Sequence, residues 1–461
     1  MLKTNGHRLE VWAINLLVAS LASINNERLF KLTYSSVAKL AEKLARRDYY
    51  VRRIRWIRDL FDRGHPSLEI TKRILKTLNP HHRKTIIQSY VINQLLVGTN
   101  KRKAFSQEPG GFYPPGFLVL SPTMRCNLKC FGCYAGSYRQ KEELSFETID
   151  RILTEAKEMG IYFITVSGGE PFFRQDIFDI FRKHNDMSFL VYSHGGLIDE
   201  KMVEKIIAVG NVLPSISIEG FKEYTDLRRG NGHFDRVMGA MDMLSQAGVL
   251  FGYSATQTRE NHDTITSDEF VDFMIDKGCL LGCYFMYVPV GRDPKTELMP
   301  TPAQRDYLRA SLGRWRNSKP ILFIDFWNDG PVVNGCMSGG RKYAHINSKG
   351  DVEPCVFCHF ATHNVHDTPL KEALNSPLFQ AIKAKIPFDD NLYRPCMLVD
   401  HPEVGREMAL KHGAYFTHEG AKVIFTELAE KIDQFAQSYK TFADPAWQKQ
   451  SHSKQSQGDK T

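Results

Sequence analysis

No run in the 461-residue chain reaches the roughly 18 consecutive apolar residues that a membrane-spanning helix needs. The nearest, Val11 to Ile24, is abutted by Glu10 and interrupted by Asn15, Ser20 and Ser23. Its apolar positions Val11, Ile14, Leu17, Leu21 and Ile24 recur at helical spacing, so it reads as a buried or interfacial helix rather than the core of a secretory signal. Cysteine is sparse: the chain has nine, and a chain this long rarely needs a disulfide framework. There is no internal repeat beyond an alternation of strand and helix patterns. What remains is a globular composition, 42% apolar, with cysteines gathered as CxxxCxxC and CxxC. That clustering favours metal ligation in a reducing cytoplasm, where thiolates stay available.

Charge is distributed unevenly. Residues 1–110 carry 21 Lys and Arg against 8 Asp and Glu, so the rest of the chain is net acidic although the total is +8. Arg46, Arg47, Arg52, Arg53, Arg55 and Arg58 form the densest basic stretch, interleaved with Tyr49, Tyr50, Ile54, Trp56 and Ile57. Such a surface suits an anionic partner, whether lipid headgroups, nucleic acid or an acidic peptide, or is simply a solvated helix face.

The organisation falls into five parts. Residues 1–110 read as basic helices, with turns at Gly64-His65-Pro66 and Asn79-Pro80. After a linker between Gln107 and Pro115, residues 115–300 alternate apolar runs with helical patterns. The runs are Phe117–Leu120, Ile161–Val166, Phe189–Tyr192, Val212–Ile218, Leu250–Ala255 and Tyr284–Val288. Near-continuous apolar strands separated by helices demand a parallel sheet covered by helices. Six units make a partial (β/α)6 TIM-like barrel of the α/β class, with chemistry expected at the carboxyl ends of its strands. Residues 330–400 form a small cysteine-rich α+β module, 403–443 a helical segment, and 444–461 a polar tail expected to be disordered.

The chemistry is concentrated after the first run, in Cys126-Asn-Leu-Lys-Cys130-Phe-Gly-Cys133. Three thiolates this close can hold three irons of a cubane cluster and leave the fourth open to a small molecule. A closed zinc site would need a fourth ligand, and the flanking loop offers none. One strand later comes Ser167-Gly168-Gly169-Glu170-Pro171, where paired glycines admit close backbone approach and a carboxylate can accept hydrogen bonds from an ammonium. The fourth strand ends in Ser217, Glu219 and Gly220, followed by Asp226-Leu-Arg228-Arg229-Gly230.

These ordered motifs resemble the radical S-adenosylmethionine (SAM) superfamily. The resemblance implies a 4Fe-4S cluster on Cys126, Cys130 and Cys133 whose open iron is chelated by SAM. It further implies contacts to SAM from Gly168, Gly169 and Glu170 (amino group), from Ser217 and Glu219 (ribose) and from Arg229, favoured by register over Arg228 (carboxylate). Relatives often carry an adenine-facing aromatic before the third cysteine; Gly132 stands there, which makes Tyr134 the substitute. His194, in Tyr192-Ser193-His194-Gly195-Gly196, is either a pocket residue or a turn histidine.

Cys336, separated from Gly350 by thirteen residues, and Cys355 flank a hairpin expected from Tyr343–Ile346 and Val352–Val356. This resembles the start of a SPASM or twitch module, and Cys358 and Cys396 could complete four ligands to one auxiliary 4Fe-4S cluster; a structural zinc is the alternative. Cys279 and Cys283 are explained by packing.

The resemblance implies an enzyme that cleaves SAM reductively and abstracts a hydrogen atom from a peptide, protein or lipid, fed by an electron donor such as flavodoxin or ferredoxin. Residues 1–110 show no strand-rich leader-binding module, and their basic helices permit contact with an anionic membrane, hence the expectation of a cytoplasmic protein able to associate with a membrane surface. The rival reading, a cluster- or zinc-bearing protein that binds nucleic acid without radical catalysis, uses the same helices.

Overall fold

The computed structural model describes residues 20–24, 26–44, 48–139 and 141–458. Seven strands lie parallel: β1 (Leu118–Leu120), β2 (Phe163–Val166), β3 (Ser188–Ser193), β4 (Val212–Ser217), β5 (Gly252–Gln257), β6 (Leu281–Met286) and β7 (Leu322–Asp325). They run side by side in chain order and the sheet stays open. Both faces of the central strands are buried, as parallel strands require. The crossover helices begin on the caps their sequences provide: Ser145 accepts from Thr148 N, Asp199 from Met202 N and Ser267 from Phe270 N. A capping box of Thr301 and Gln304 opens Pro302–Trp315.

The six expected strands are present, within a partial TIM-like α/β architecture, and two features extend it. β7 adds a seventh strand at one edge; it is only four residues long and begins on an exposed leucine, so its pattern is too weak to read. At the other edge the hairpin of β8 (His345–Ile346) and β9 (Val352–Glu353) pairs through β8 with β1, in parallel. The cysteine-rich module therefore continues the barrel sheet.

The N-terminal region is helical, as expected, with helices Glu27–Leu44, Asp48–Asp62, Ser67–Thr77 and Pro80–Ile86, then a wide π-helical stretch Ile87–Gly98. Most of Val11–Ile24, with Arg46 and Arg47, lies outside the described residues. Its polar contacts fall at the amino ends of the strands. Asn79 N donates to Gly248 O ahead of β5, Gln94 accepts from Tyr162 N ahead of β2, and Arg73 donates to Pro320 O ahead of β7. This region covers the end of the barrel opposite to the one that carries the motifs.

One boundary differs from expectation. The last helix spans Ala429–Gly458 and so continues through most of the residues read as a tail. Polar composition hides the reason: Trp447 packs edge-on against Tyr393 at 5.4 Å, and Asp444 accepts from Asn391 Nδ2 at 2.7 Å. Among the described residues no helix is long and apolar enough to cross a membrane.

Candidate functional site

A cavity of about 180 Å³ opens at the carboxyl ends of the strands. Cys126, Cys130 and Cys133 border it from the loop after β1, together with Gly168, Gly169 and Glu170 after β2, Ser217 on β4, and Arg228 and Arg229. The structure thus brings together segments spread over a hundred residues of sequence. No lining residue comes from the N-terminal helices; the first is Val119.

The two glycines serve a purpose beyond ligand access. A Cβ on Gly168 would meet Thr123 O at 2.6 Å, and one on Gly169 would meet Arg125 O at 2.3 Å. Their backbone accommodates the cysteine loop itself, which is tied down by Gly169 N to Thr123 O (2.9 Å) and Glu170 N to Arg125 O (2.8 Å). Gly132 is glycine for a similar reason: with φ at 60°, its Cβ would strike the Tyr287 ring at 2.5 Å. Tyr287, on the cavity wall, fills the space that a side chain at 132 would take, and nothing in the local sequence signals it.

Glu170 is fully buried. Its carboxylate accepts from His194 N (2.8 Å), Ser193 Oγ (2.9 Å) and Phe172 N (3.1 Å). Burial pushes its pKa up to about 7 despite these donors. His194 belongs to both of its alternatives: Nδ1 accepts from Gly196 N in the turn, while Nε2 sits 2.7 Å from Asn127 Oδ1 in the cysteine loop and the residue lines the cavity.

Glu219 sits apart from these residues. It stands off the cavity wall, behind the arginines, with Arg228 Nη1 at 2.8 Å and Arg229 Nε at 3.1 Å. A carboxylate this buried must be paired, so it is committed to aiming both guanidinium groups. Neither arginine pairs with Asp226, which accepts from the backbone of Gly232 and Phe234. Tyr134 lines the cavity, but its hydroxyl is bound to Ser167 Oγ and accepts from Gly168 N, fixing the glycine turn.

Behind this cavity lies a second, of about 40 Å³, lined by Cys336, Cys355, Cys358 and Cys396. Phe326, Tyr343 and Phe357 border both cavities and form the wall between them. Donors already reach the sulfurs: Tyr343 Oη to Cys355 Sγ at 2.9 Å and Leu398 N to Cys396 Sγ at 3.4 Å. Cys279 and Cys283 are fully buried elsewhere in the core.

A buried carboxylate couples the two centres. Glu353, two residues before Cys355, accepts from Tyr138 Oη (2.7 Å) in the first cysteine loop and from Thr417 Oγ1 (2.6 Å). It also bonds His345 Nδ1, whose Nε2 reaches Ser121 at the end of β1.

Among the described residues no three His, Cys, Asp or Glu side chains come close enough to hold a single metal ion. Both sets of thiols instead surround cavities, with hydrogen-bond donors near sulfur. That fits a multi-iron group with thiolate ligands better than a compact tetrahedral zinc.

Fold and site together define an iron-sulfur enzyme on an open barrel. A model of the radical SAM superfamily matches residues 120–265, and one of the SPASM iron-sulfur cluster-binding domain matches 336–398. Residues 120–265 therefore form a radical SAM domain and residues 336–398 a SPASM-type module, which imply a 4Fe-4S cluster with SAM and an auxiliary iron-sulfur cluster. It is similar to the AdoMet-dependent heme synthase of Methanosarcina barkeri (26% identity, 58% of this chain and 85% of the relative). It is also similar to the mycofactocin maturase MftC of Mycolicibacterium smegmatis (29%, 54% and 66%). The chain thus spans slightly less than two thirds of the maturase. Streptococcus suis SuiB bound to precursor peptide SuiA shares the fold (20% identity, TM-score 0.52, 66% of this chain and 72% of SuiB).

Proposed function

We propose that this chain modifies a peptide or protein by radical chemistry, with Cys126, Cys130 and Cys133 holding the SAM-binding 4Fe-4S cluster. The observation that carries this reading is the single cavity onto which those thiols, the Gly168–Glu170 turn and Arg228 and Arg229 converge. When bound, the cluster and SAM supply reductive cleavage of the sulfonium and abstraction of a hydrogen atom from substrate. Glu170 in its ionised form accepts the SAM ammonium. Glu219 holds Arg228 and Arg229 toward the SAM carboxylate, and Ser217, paired with Ser254 at 3.3 Å, faces the ribose. Cys336, Cys355, Cys358 and Cys396 hold the auxiliary cluster, and a flavodoxin or ferredoxin supplies electrons.

Much of the remaining wall is apolar. Phe285, Met286, Val288, Phe326 and Phe357 carry no polar hydrogen. The hydroxyls of Tyr134, Tyr192 and Tyr343 are engaged by Ser167, Cys283 and Cys355. Apolar surface around a reactive species limits its quenching.

A peptide substrate is supported by the likeness to a maturase and to a peptide-binding fold relative. A lipid reached from an anionic surface is the second reading, favoured by exposed Leu29, Leu32, Trp56 and Ile57 beside Arg28, Arg52 and Arg55. Those helices lie on the region that covers the far end of the barrel, which weighs for the peptide. Salt-sensitive sedimentation with anionic vesicles would reverse that preference.

The direct test is anaerobic reconstitution with a strong reductant and SAM, scoring 5′-deoxyadenosine. Production should fall to background when Cys126, Cys130 and Cys133 are all changed to Ala. No production by protein that holds reduced, SAM-accessible iron would overturn the proposal and favour a binding protein.

A further inference from the structure

Trp327 is a buried polar residue for which the chemistry above has no use. Its Nε1–H is shielded from solvent and has no hydrogen-bond partner among the described residues. Buried donors in native structures are almost always satisfied, so an orphan points to a partner that the polypeptide does not supply. The indole lies on the wall of the cavity formed by Cys336, Cys355, Cys358 and Cys396. It is held there: Trp327 N donates to Asp325 Oδ1 at 2.9 Å, and the ring packs 5.1 Å from Phe357. Trp327 therefore has no route to solvent to satisfy the donor. A filled cavity would offer sulfurs as acceptors, and Tyr343 already donates to one of them.

We propose that Trp327 Nε1–H donates a hydrogen bond to a sulfur of the iron-sulfur group on these four cysteines and raises its reduction potential. The proposal rests on the reading of the four thiols as ligands of one cluster. Its physical basis is electrostatic: an N–H dipole aimed at sulfur stabilises negative charge, and reduction adds negative charge, so the reduced form gains more. Trp327 is a tuning residue that touches neither substrate nor SAM.

The test uses full-length protein in which Cys126, Cys130 and Cys133 are Ala, leaving iron only at the second centre. Midpoint potentials are measured by redox titration for Trp327, for Trp327→Phe, and for 3-benzothienylalanine at 327, which keeps the bicyclic shape and removes only the N–H. Both replacements should shift the reduction equilibrium about tenfold toward the oxidised form, or about 59 mV for one electron. Both should also lose a proton coupling that exchanges in D2O, read by electron-nuclear double resonance. Full iron content with unchanged potential and unchanged coupling in the benzothienyl protein overturns the inference. Iron content that does not fall when Cys336 or Cys396 becomes Ala overturns instead the reading on which it rests.

Discussion

Cys126, Cys130 and Cys133 come from eight residues of one loop and border a cavity of about 180 Å³ that they share with a carboxylate and two arginines. Cys336, Cys355, Cys358 and Cys396 come from three segments spread over sixty residues and surround a cavity of about 40 Å³ closed by Phe326, Trp327, Tyr343 and Phe357. Three thiols leave room for a ligand, and charged side chains wait to receive it. Four thiols behind an aromatic wall leave none. On the proposed reading of these thiols as cluster ligands, the difference gives small-molecule chemistry to the first centre and a closed cluster, suited to electron transfer, to the second.

The strongest test of that division is Cys396→Ala. Iron should fall by about four atoms per chain, the content of one such cluster, and substrate modification should fall to background. Cleavage of SAM without substrate should persist, because the first centre is intact. Loss of 5′-deoxyadenosine along with the iron would show that the two centres are one functional unit and break the comparison.

A second test separates them by stability. Arg305 and Asp400 are fully buried and paired, and Tyr439 lies 3.8 Å beneath the guanidinium. Asp400 also accepts from Cys396 N at 3.0 Å, so this ion pair holds the fourth cysteine in place. Removing one partner of a buried pair costs about 3–5 kcal/mol, because the other charge is left unpaired. Arg305→Met should lower unfolding free energy by about that amount and release iron from the second centre before the first. Simultaneous release from both would place the effect on the whole barrel.

The contrast also explains what could be read from sequence. The first cysteine motif was legible because its thiols are local and its companions stand at the ends of apolar strands, as Gly168 after β2 and Ser217 on β4 do. The position of Glu219 in a motif cannot show that two arginines pair with it. Tyr287 and Trp327 were invisible, since each acts through a neighbour distant in sequence: Gly132 for one, the four-cysteine cavity for the other. The final helix was missed beyond Asp444 because a single aromatic contact, Trp447 on Tyr393, outweighs a polar composition. The attachment of β8 to β1 was equally hidden, since two-residue strands have no periodicity.

The smallest expected effect concerns protonation, and it too distinguishes the centres. Burial raises the Glu170 pKa to about 7 against the donors from His194, Phe172 and Ser193 and the charge of Arg229. Its unfolded counterpart ionises near 4.5, so between those values the unfolded chain releases its proton first and this residue's contribution to stability declines as pH rises. An ammonium ligand reverses the preference, because it needs the carboxylate. SAM affinity of the reconstituted protein, measured by equilibrium dialysis, should therefore rise between pH 6 and pH 8, by at most about tenfold per unit below the pKa, and level off above it. Glu170→Gln should flatten this profile. The second cavity has no carboxylate or imidazole among its lining residues, so the potential of its cluster should stay level over the same window. A pH-dependent potential there, or an unaltered SAM profile in Glu170→Gln, would mean that proton-linked charge is not confined to the open centre.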